Sequence, residues 1–151
     1  MQRRAFSMIE LIFVIVIVAT LAVVAIPKLA ATRDDAIIST VAQNTMTAAF
    51  EIASYATAKG RTETSLSTMS NAIKSLVDKG LAVDTGASKA NIFAEKGGST
   101  CIVLWIDGVG TNTETIKLED GGGSSGNCVR LKSLIDFSNY PMPLHGHLIS
   151  F

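Results

Sequence analysis

A long apolar segment near the N-terminus dominates the hydrophobic pattern of the chain. It extends from Met8 to Pro27, and after Glu10 its only polar side chain is Thr20. A run of this length predicts a helix that is long enough to cross a bilayer. Glu10 interrupts the start of the run, and an ionisable side chain inside a membrane segment indicates a functional role.

The helical periodicity continues beyond the apolar segment. Its apolar positions are Ile37, Ile38, Val41, Ala48, Ala49, Ile52 and Tyr55. This spacing predicts an amphipathic helix to about Ala58, and Lys59-Gly60 is a typical C-terminal stop signal. We therefore expect one long helix with an apolar lower half, residues 6–27, and an amphipathic upper half, residues 28–60. Pro27 removes a backbone donor and predicts a kink between the halves.

Residues 61–151 show shorter patterns that predict a small α+β head. The expected elements are a helix containing Met69, Ile73, Leu76 and Val77, capped by Ser67 or Ser70, and strands at Cys101–Ile106, Thr113–Leu118 and Cys128–Leu134, with a further short strand possible at Asn91–Phe93. Trp105 is interpreted as a core residue, and Gly121–Gly126 as a flexible loop. The expected fold is an antiparallel sheet of three or four strands packed on the long helix.

The charge and the motifs of the chain give no indication of catalysis or nucleic-acid binding. Thirteen basic and thirteen acidic side chains give a formal net charge of zero, whereas phosphate backbones attract a basic excess. The Gly121–Gly126 segment lacks the Lys-Ser/Thr ending of a phosphate loop, and His145 and His147 have no further Cys or His beside them. We expect a protein that is not an enzyme and has no cofactor.

The chain has two cysteines, Cys101 and Cys128. The basic N-terminus predicts that residues after the apolar segment lie outside the cytoplasm. An even number of cysteines in that location favours a disulfide, and two buried free thiols are the alternative. A bridge would close a loop of about 28 residues and stabilise the head by about 3.5 kcal/mol.

The residues around Phe6 form a motif with fixed spacings. Arg3-Arg4-Ala5 precedes Phe6, Glu10 is the fifth residue counted from Phe6, and Pro27 lies near the end of the apolar helix. This combination resembles the processing motif of type IV pilins and type II secretion pseudopilins, although that family usually has Gly where this chain has Ala5. The resemblance implies that residues 1–5 are a leader, that a prepilin peptidase cuts between Ala5 and Phe6, and that the Phe6 amine is then methylated.

The same resemblance implies a function in filament assembly. The protein would be a structural subunit, held in the bacterial inner membrane as a precursor with its head in the periplasm, and later part of a periplasmic or cell-surface filament. Glu10 would pair with the Phe6 amine of a neighbouring subunit and set the axial register. The implied partners are copies of itself, other pilins or pseudopilins, the prepilin peptidase and the assembly platform. The resemblance does not distinguish a pilus from a secretion pseudopilus, or a major subunit from a minor one.

Two alternatives concern the head. Some pseudopilin heads hold calcium in a turn-rich loop, and Asp107, Asn112 and Glu114 lie in such a region. The other interpretation is that these residues are ordinary solvent-exposed side chains of a loop. The chain as a whole has a rival interpretation as a membrane-anchored periplasmic binding or enzyme domain that forms no filament. That rival predicts a functional pocket in the head and gives Glu10 no role.

Overall fold

The computed structural model describes residues 7–144. Within the first helix, the side chains at positions 27 and 29–31 also lie outside this description. The predicted cleavage and methylation positions, Ala5 and Phe6, and the two histidines of the C-terminal tail fall outside the described residues. What the sequence indicates for them stays a prediction.

The first helix, α1, is continuous from Met8 to Lys59, close to the predicted end. Its assignment passes through position 27, so Pro27 does not end the helix, and the kink expected there stays a prediction. The chain divides into two units between Ala36 and Ile37, and each is described by itself. In the first unit, none of the most apolar window within residues 8–26 of α1 is buried.

The second unit continues after α1 with two short helices where the sequence predicts one. They are α2, Leu66–Met69, and α3, Asn71–Asp78. Ser70 separates them because its backbone is extended, with φ −138° and ψ 122°. Its hydroxyl accepts a hydrogen bond from the backbone N–H of Ile73 at 3.1 Å, which makes Ser70 the N-cap of α3.

The sheet has five antiparallel strands whose spatial order is their order in the sequence. The strands are β1 (Ala82–Asp84), β2 (Lys89–Phe93), β3 (Thr100–Asp107), β4 (Thr115–Asp120) and β5 (Met142–Pro143). The α+β class and the antiparallel sheet are confirmed, but the predicted number of strands is too low. The edge strands β1 and β5 have three and two residues, which is too short to show an alternating pattern.

The two faces of the sheet differ in burial along β3. Ile102, Leu104 and Ile106 are buried, whereas Val103 and Trp105 alternate with them and are partly exposed. A strand directs successive side chains to opposite faces, so Trp105 lies on the face that is turned away from the core. The interpretation of Trp105 as a core residue is therefore wrong. The alternation could not be seen in the sequence, because the residues on both sides of Trp105 are also apolar.

One hydrophobic cluster forms the core of the second unit. It includes buried residues from α1, from α3 and from the inner face of the sheet. The residues from α1 are Ile38, Val41, Ala42, Ala48, Ala49, Ile52 and Ala56. This stripe follows the predicted helical periodicity closely, so residues 37–59 of α1 contribute one face to the core and leave the other exposed.

The prediction of a third strand at Cys128–Leu134 is wrong, since this segment lies mostly in a helix. Helix α4 runs from Gly126 to Ser133, and the Ser125 hydroxyl caps it by accepting from the backbone N–H of Cys128 at 3.2 Å. Arg130 and Lys132 lie in its last turn, where positive charge is favourable. The cap and these charges favour a helix over the strand suggested by the apolar residues.

Candidate functional site

The apolar part of α1 has the dimensions of a membrane-crossing helix. Residues Met8–Ile26 have a mean hydropathy of 3.1 over the most apolar window. Nineteen residues at 1.5 Å each span about 28 Å, close to the hydrocarbon thickness of a bilayer. Thr20 fits this environment because its hydroxyl donates to the carbonyl of Ile17 at 2.8 Å within the same helix.

Ser7 and Glu10 both take part in the hydrogen bonds at the start of α1. The Ser7 hydroxyl accepts from the backbone N–H of Ile9 at 3.3 Å, and the Ser7 N–H donates to Oε2 of Glu10 at 3.2 Å. The Ser7 carbonyl also accepts the first helical bond, from Leu11 at 3.1 Å. Ser7 is therefore the N-cap and Glu10 the third helical residue, a variant of the capping box in which the N-cap hydroxyl accepts from the second helical residue, Ile9, instead of the third.

This arrangement gives Glu10 a function within its own helix. Its carboxylate satisfies a backbone donor that the helix leaves unpaired and lies where the positive end of the helix dipole favours negative charge. Glu10 was recognised from the sequence, but the contribution of Ser7 was missed. The spacing Ser-x-x-Glu immediately before an apolar run was the available signal.

The turn-rich region after β3 is organised around a buried carboxylate. Glu114 is 2% exposed, and its Oε1 accepts from the Thr62 hydroxyl at 2.8 Å and from the Gly110 N–H at 2.6 Å. These bonds join the β3–β4 loop to the segment that follows α1. Thr62 was missed, and since 52 residues separate it from Glu114, no local pattern predicts the pair.

A cleft of about 280 Å³ lies beside Glu114. It is lined by residues 60–62, 109–112 and Glu114, so the structure brings Asn112 and Glu114 to the same cleft. Asp107 is not among the lining residues. Among the described residues, no three His, Cys, Asp or Glu side chains are placed to share a metal ion.

The Asp107 carboxylate instead interacts with a lysine on the outer face of the sheet. Lys117 donates to Oδ2 of Asp107 at 2.6 Å, and its ammonium lies 4.8 Å from the centre of the Trp105 ring. The hydrogen bond from Lys117 holds the pKa of Asp107 below its ordinary value. Asp107 is therefore ion-paired with Lys117, and the same lysine makes a cation–π contact with Trp105 on the outer face of the sheet.

A disulfide joins Cys101 in β3 to Cys128 in α4, with a Cα–Cα distance of 5.2 Å. This confirms the predicted bridge, although it links a strand to a helix. The glycine-rich segment beside it is hydrogen-bonded to β3, since the N–H groups of Gly121 and Gly123 donate to the carbonyls of Cys101 and Thr100, both at 2.9 Å. The loop that the sequence predicts to be flexible is thus held to β3 by hydrogen bonds at both glycines.

The structure therefore defines a class: an α+β domain in a chain whose first helix is long and apolar enough to cross a membrane. In comparisons with known proteins, no family model, no curated protein and no solved structure matches the chain.

Proposed function

We propose that this protein is a structural subunit of a helical filament of the type IV pilus or type II secretion kind. It is made as a precursor in the inner membrane, cut by a prepilin peptidase between Ala5 and Phe6, and assembled through α1. Its head lies in the periplasm before assembly and on the filament afterwards. We propose no enzymatic activity and no cofactor.

The observation that carries this proposal is the start of α1, where a hydrogen-bonded carboxylate opens a helix that is apolar on every side. The large hydrophobic side chains of residues 8–26 are exposed around the whole helix. A helix of this kind needs lipid or other helices around it. A membrane surrounds it in the monomer, and neighbouring copies surround it in a filament.

Glu10 distinguishes a filament subunit from a protein that is merely anchored. A carboxylate at this depth is costly unless it is paired, and cleavage before Phe6 creates an amine close by in sequence. In a bundle of such helices, that amine can belong to a neighbouring copy. The charge pair then fixes how far each subunit is displaced along the axis, while apolar packing supplies the attraction between helices.

The head contributes properties that suit an extracytoplasmic subunit. Its disulfide suits an oxidising compartment. Residues 37–59 of α1 expose a polar stripe of Ser39, Gln43, Thr47, Ser54 and Thr57, with Phe50 66% exposed among them. An exposed helical face of this kind is available for contact with other subunits.

The decisive experiment is intact-mass measurement and N-terminal sequencing of the full-length protein recovered from membranes that contain an active prepilin peptidase. The proposal expects a chain that begins at Phe6, with or without one added methyl group. A chain that still begins at Met1 supports the rival interpretation, a membrane-anchored binding or enzyme domain. A start near residue 31 indicates an ordinary secreted protein, and both of these outcomes contradict the filament proposal.

A further inference from the structure

The disulfide of the head is closed off from solvent. Cys101 is 0% exposed and Cys128 is 1% exposed, and both belong to the hydrophobic core of the second unit. A disulfide is reduced or exchanged when a thiolate attacks one of its two sulfur atoms directly. A thiol in solution therefore reaches this bridge only after some part of the head has moved.

A glycine segment, residues 121–124, lies against one of the two sulfur atoms. A Cβ at Gly123 would lie 2.6 Å from Sγ of Cys128, so the backbone at Gly123 is packed closely against this sulfur. The segment reads Gly-Gly-Gly-Ser, and its serine, Ser124, is exposed. Moving the segment away from the bridge therefore breaks hydrogen bonds but gives up little apolar packing.

The other way to reach the sulfur atoms is to separate α4 from β3. Helix α4 brings Leu131 into the core together with Cys128, and Ile135 follows just after the helix. Leu131 is fully buried and Ile135 is 5% exposed. Exposing both side chains costs more than losing a few hydrogen bonds that water can replace. Of these two routes, displacement of the glycine segment is therefore the easier one.

Lys132 of α4 holds the glycine segment in place. Its ammonium donates to the carbonyl oxygen of Gly123 at 2.7 Å and forms an ion pair with Asp120 at 2.5 Å. Oδ1 of Asp120 also accepts from the N–H of Gly122 at 2.7 Å. The Lys132 side chain is 19% exposed. Its bond to Gly123 is therefore partly shielded from water, and because the donor is charged, it is stronger than a bond between neutral groups.

We propose that the glycine segment is a cover that protects the Cys101–Cys128 bridge from thiols, and that Lys132 keeps this cover closed. The reaction that the cover slows is thiol–disulfide exchange. A dithiol supplies two electrons and two protons, the S–S bond breaks, both cysteines become thiols, and the dithiol becomes a disulfide. This inference goes beyond the proposed function, because it holds whether or not the protein enters a filament.

The test is the rate at which dithiothreitol reduces the bridge in the full-length protein in detergent micelles, followed by alkylation of the thiols and mass spectrometry. Lys132→Met keeps an apolar side chain of similar length but removes the ammonium, so it is expected to be reduced about tenfold faster than wild type. Lys74→Met is the matched control, since Lys74 makes an exposed ion pair with Asp78 on α3. It is expected within about twofold of wild type.

A further variant weakens the same contact from the solvent side. The Asp120 side chain is 62% exposed, so Asp120→Asn is expected to fold normally even if Lys132→Met does not. It removes the charge that pairs with Lys132 but keeps an oxygen that can accept from Gly122. Reduction of this variant is expected to be about threefold faster than that of wild type.

The urea dependence of the rate separates opening of the cover from unfolding of the head. Reduction through a local opening is nearly independent of urea at low concentrations, whereas reduction through global unfolding accelerates with each addition. A faster rate for Lys132→Met that is insensitive to low urea supports the inference. Equal rates for Lys132→Met and wild type overturn it, as does an equally large acceleration in Lys74→Met. A Lys132→Met rate that rises from the first addition of urea also overturns it, since the head then unfolds as a whole.

Discussion

Glu51 of α1 and Ser70 hold the start of α3 together. Oε2 of Glu51 accepts from the Ser70 hydroxyl at 2.6 Å and from the Ala72 N–H at 3.0 Å, while the same hydroxyl accepts from Ile73. Ser70 is 1% exposed, so these groups have little access to water as replacement partners. The pair attaches α3 to the long helix through hydrogen bonds as well as apolar packing.

The first prediction concerns this pair. Ser70→Ala is expected to lower the free energy of unfolding of the second unit by about 2 kcal/mol, because it removes an N-cap and leaves Glu51 with one partner fewer. Urea unfolding of the full-length protein in detergent micelles measures the change. Ser54→Ala is the matched control, since Ser54 is exposed on α1. Equal stability of the two variants would contradict the assignment.

The second prediction concerns acid stability and Asp84. Burial disfavours ionisation of this carboxylate, but hydrogen bonds from the Ser67 and Gly86 N–H groups and from the Ser65 hydroxyl outweigh it, so the pKa of Asp84 lies below its ordinary value. A lowered pKa in the folded state means that the ionised form contributes stability above the ordinary value of 3.8. That contribution disappears as the pH falls from there through the lowered pKa.

Asp84→Asn tests this directly, because it removes the charge at every pH. The variant is expected to be less stable than wild type at neutral pH, and the difference is expected to shrink as the pH falls below 3.8. Thermal unfolding between pH 2 and pH 7 measures both curves. Ser65→Ala removes one of the hydrogen bonds to Asp84, and its stability is expected to lie between those of wild type and Asp84→Asn. A difference that stays constant at all pH values would rule out this account of Asp84.

The third prediction compares Gly123, which lies before α4, with Gly126, the first residue of α4. A Cβ at Gly123 would lie 2.6 Å from Sγ of Cys128 and 2.7 Å from the Thr100 carbonyl oxygen, whereas a Cβ at Gly126 has no neighbour within 4 Å. Gly123→Ala is therefore expected to cost about 1–3 kcal/mol through overpacking. Gly126→Ala, in the first turn of α4, is expected to be neutral or slightly stabilising. Thermal unfolding distinguishes them, and the reverse order would contradict the close approach at Gly123.

The fourth prediction concerns calcium. Lys117 already pairs with Asp107, and Glu114 accepts from Thr62 and Gly110. Exchanging EDTA for millimolar Ca²⁺ is therefore expected to move the midpoint of thermal unfolding by less than about 2 °C. A larger increase that disappears in Asn112→Ala would place a cation in the cleft and revive the calcium interpretation.

The fifth prediction concerns assembly. Glu10→Ala is expected to insert into the membrane but to enter filaments about tenfold less than wild type or worse, because it lacks the charge that pairs with a neighbour's amine. Glu10→Gln is expected to fail equally, since its cap is intact but its charge is absent. Comparison of filament and membrane fractions measures incorporation. Thr20→Ala is the control, because Thr20 bonds within its own helix, and normal incorporation of Glu10→Ala would refute the assigned function.

The sequence predicted the elements whose patterns are long. Helix α1 repeats its apolar spacing over many turns, and β3 is a continuous apolar run, so both were located within a few residues. The Ser7 cap was missed, although its bond to Glu10 joins residues only three positions apart and the spacing was visible in the sequence. Local spacing is sufficient wherever the partners are neighbours in the chain.

The errors have a different physical origin. Residues 128–134 are too few to separate helix from strand by apolar content alone, so the Ser125 cap and the basic last turn decide the outcome. The outward position of Trp105 depends on which face of the sheet is covered, which a single apolar run does not reveal. The contact between Thr62 and Glu114 depends on tertiary structure across 52 residues.

The order of the sheet bears on how the head folds. Each strand pairs with the strand before it, so most sheet contacts close short loops and can form in sequence order. Cys101 has one possible partner within the chain, Cys128, which follows 27 residues later. Oxidation within a single chain therefore has no wrong pairing to correct.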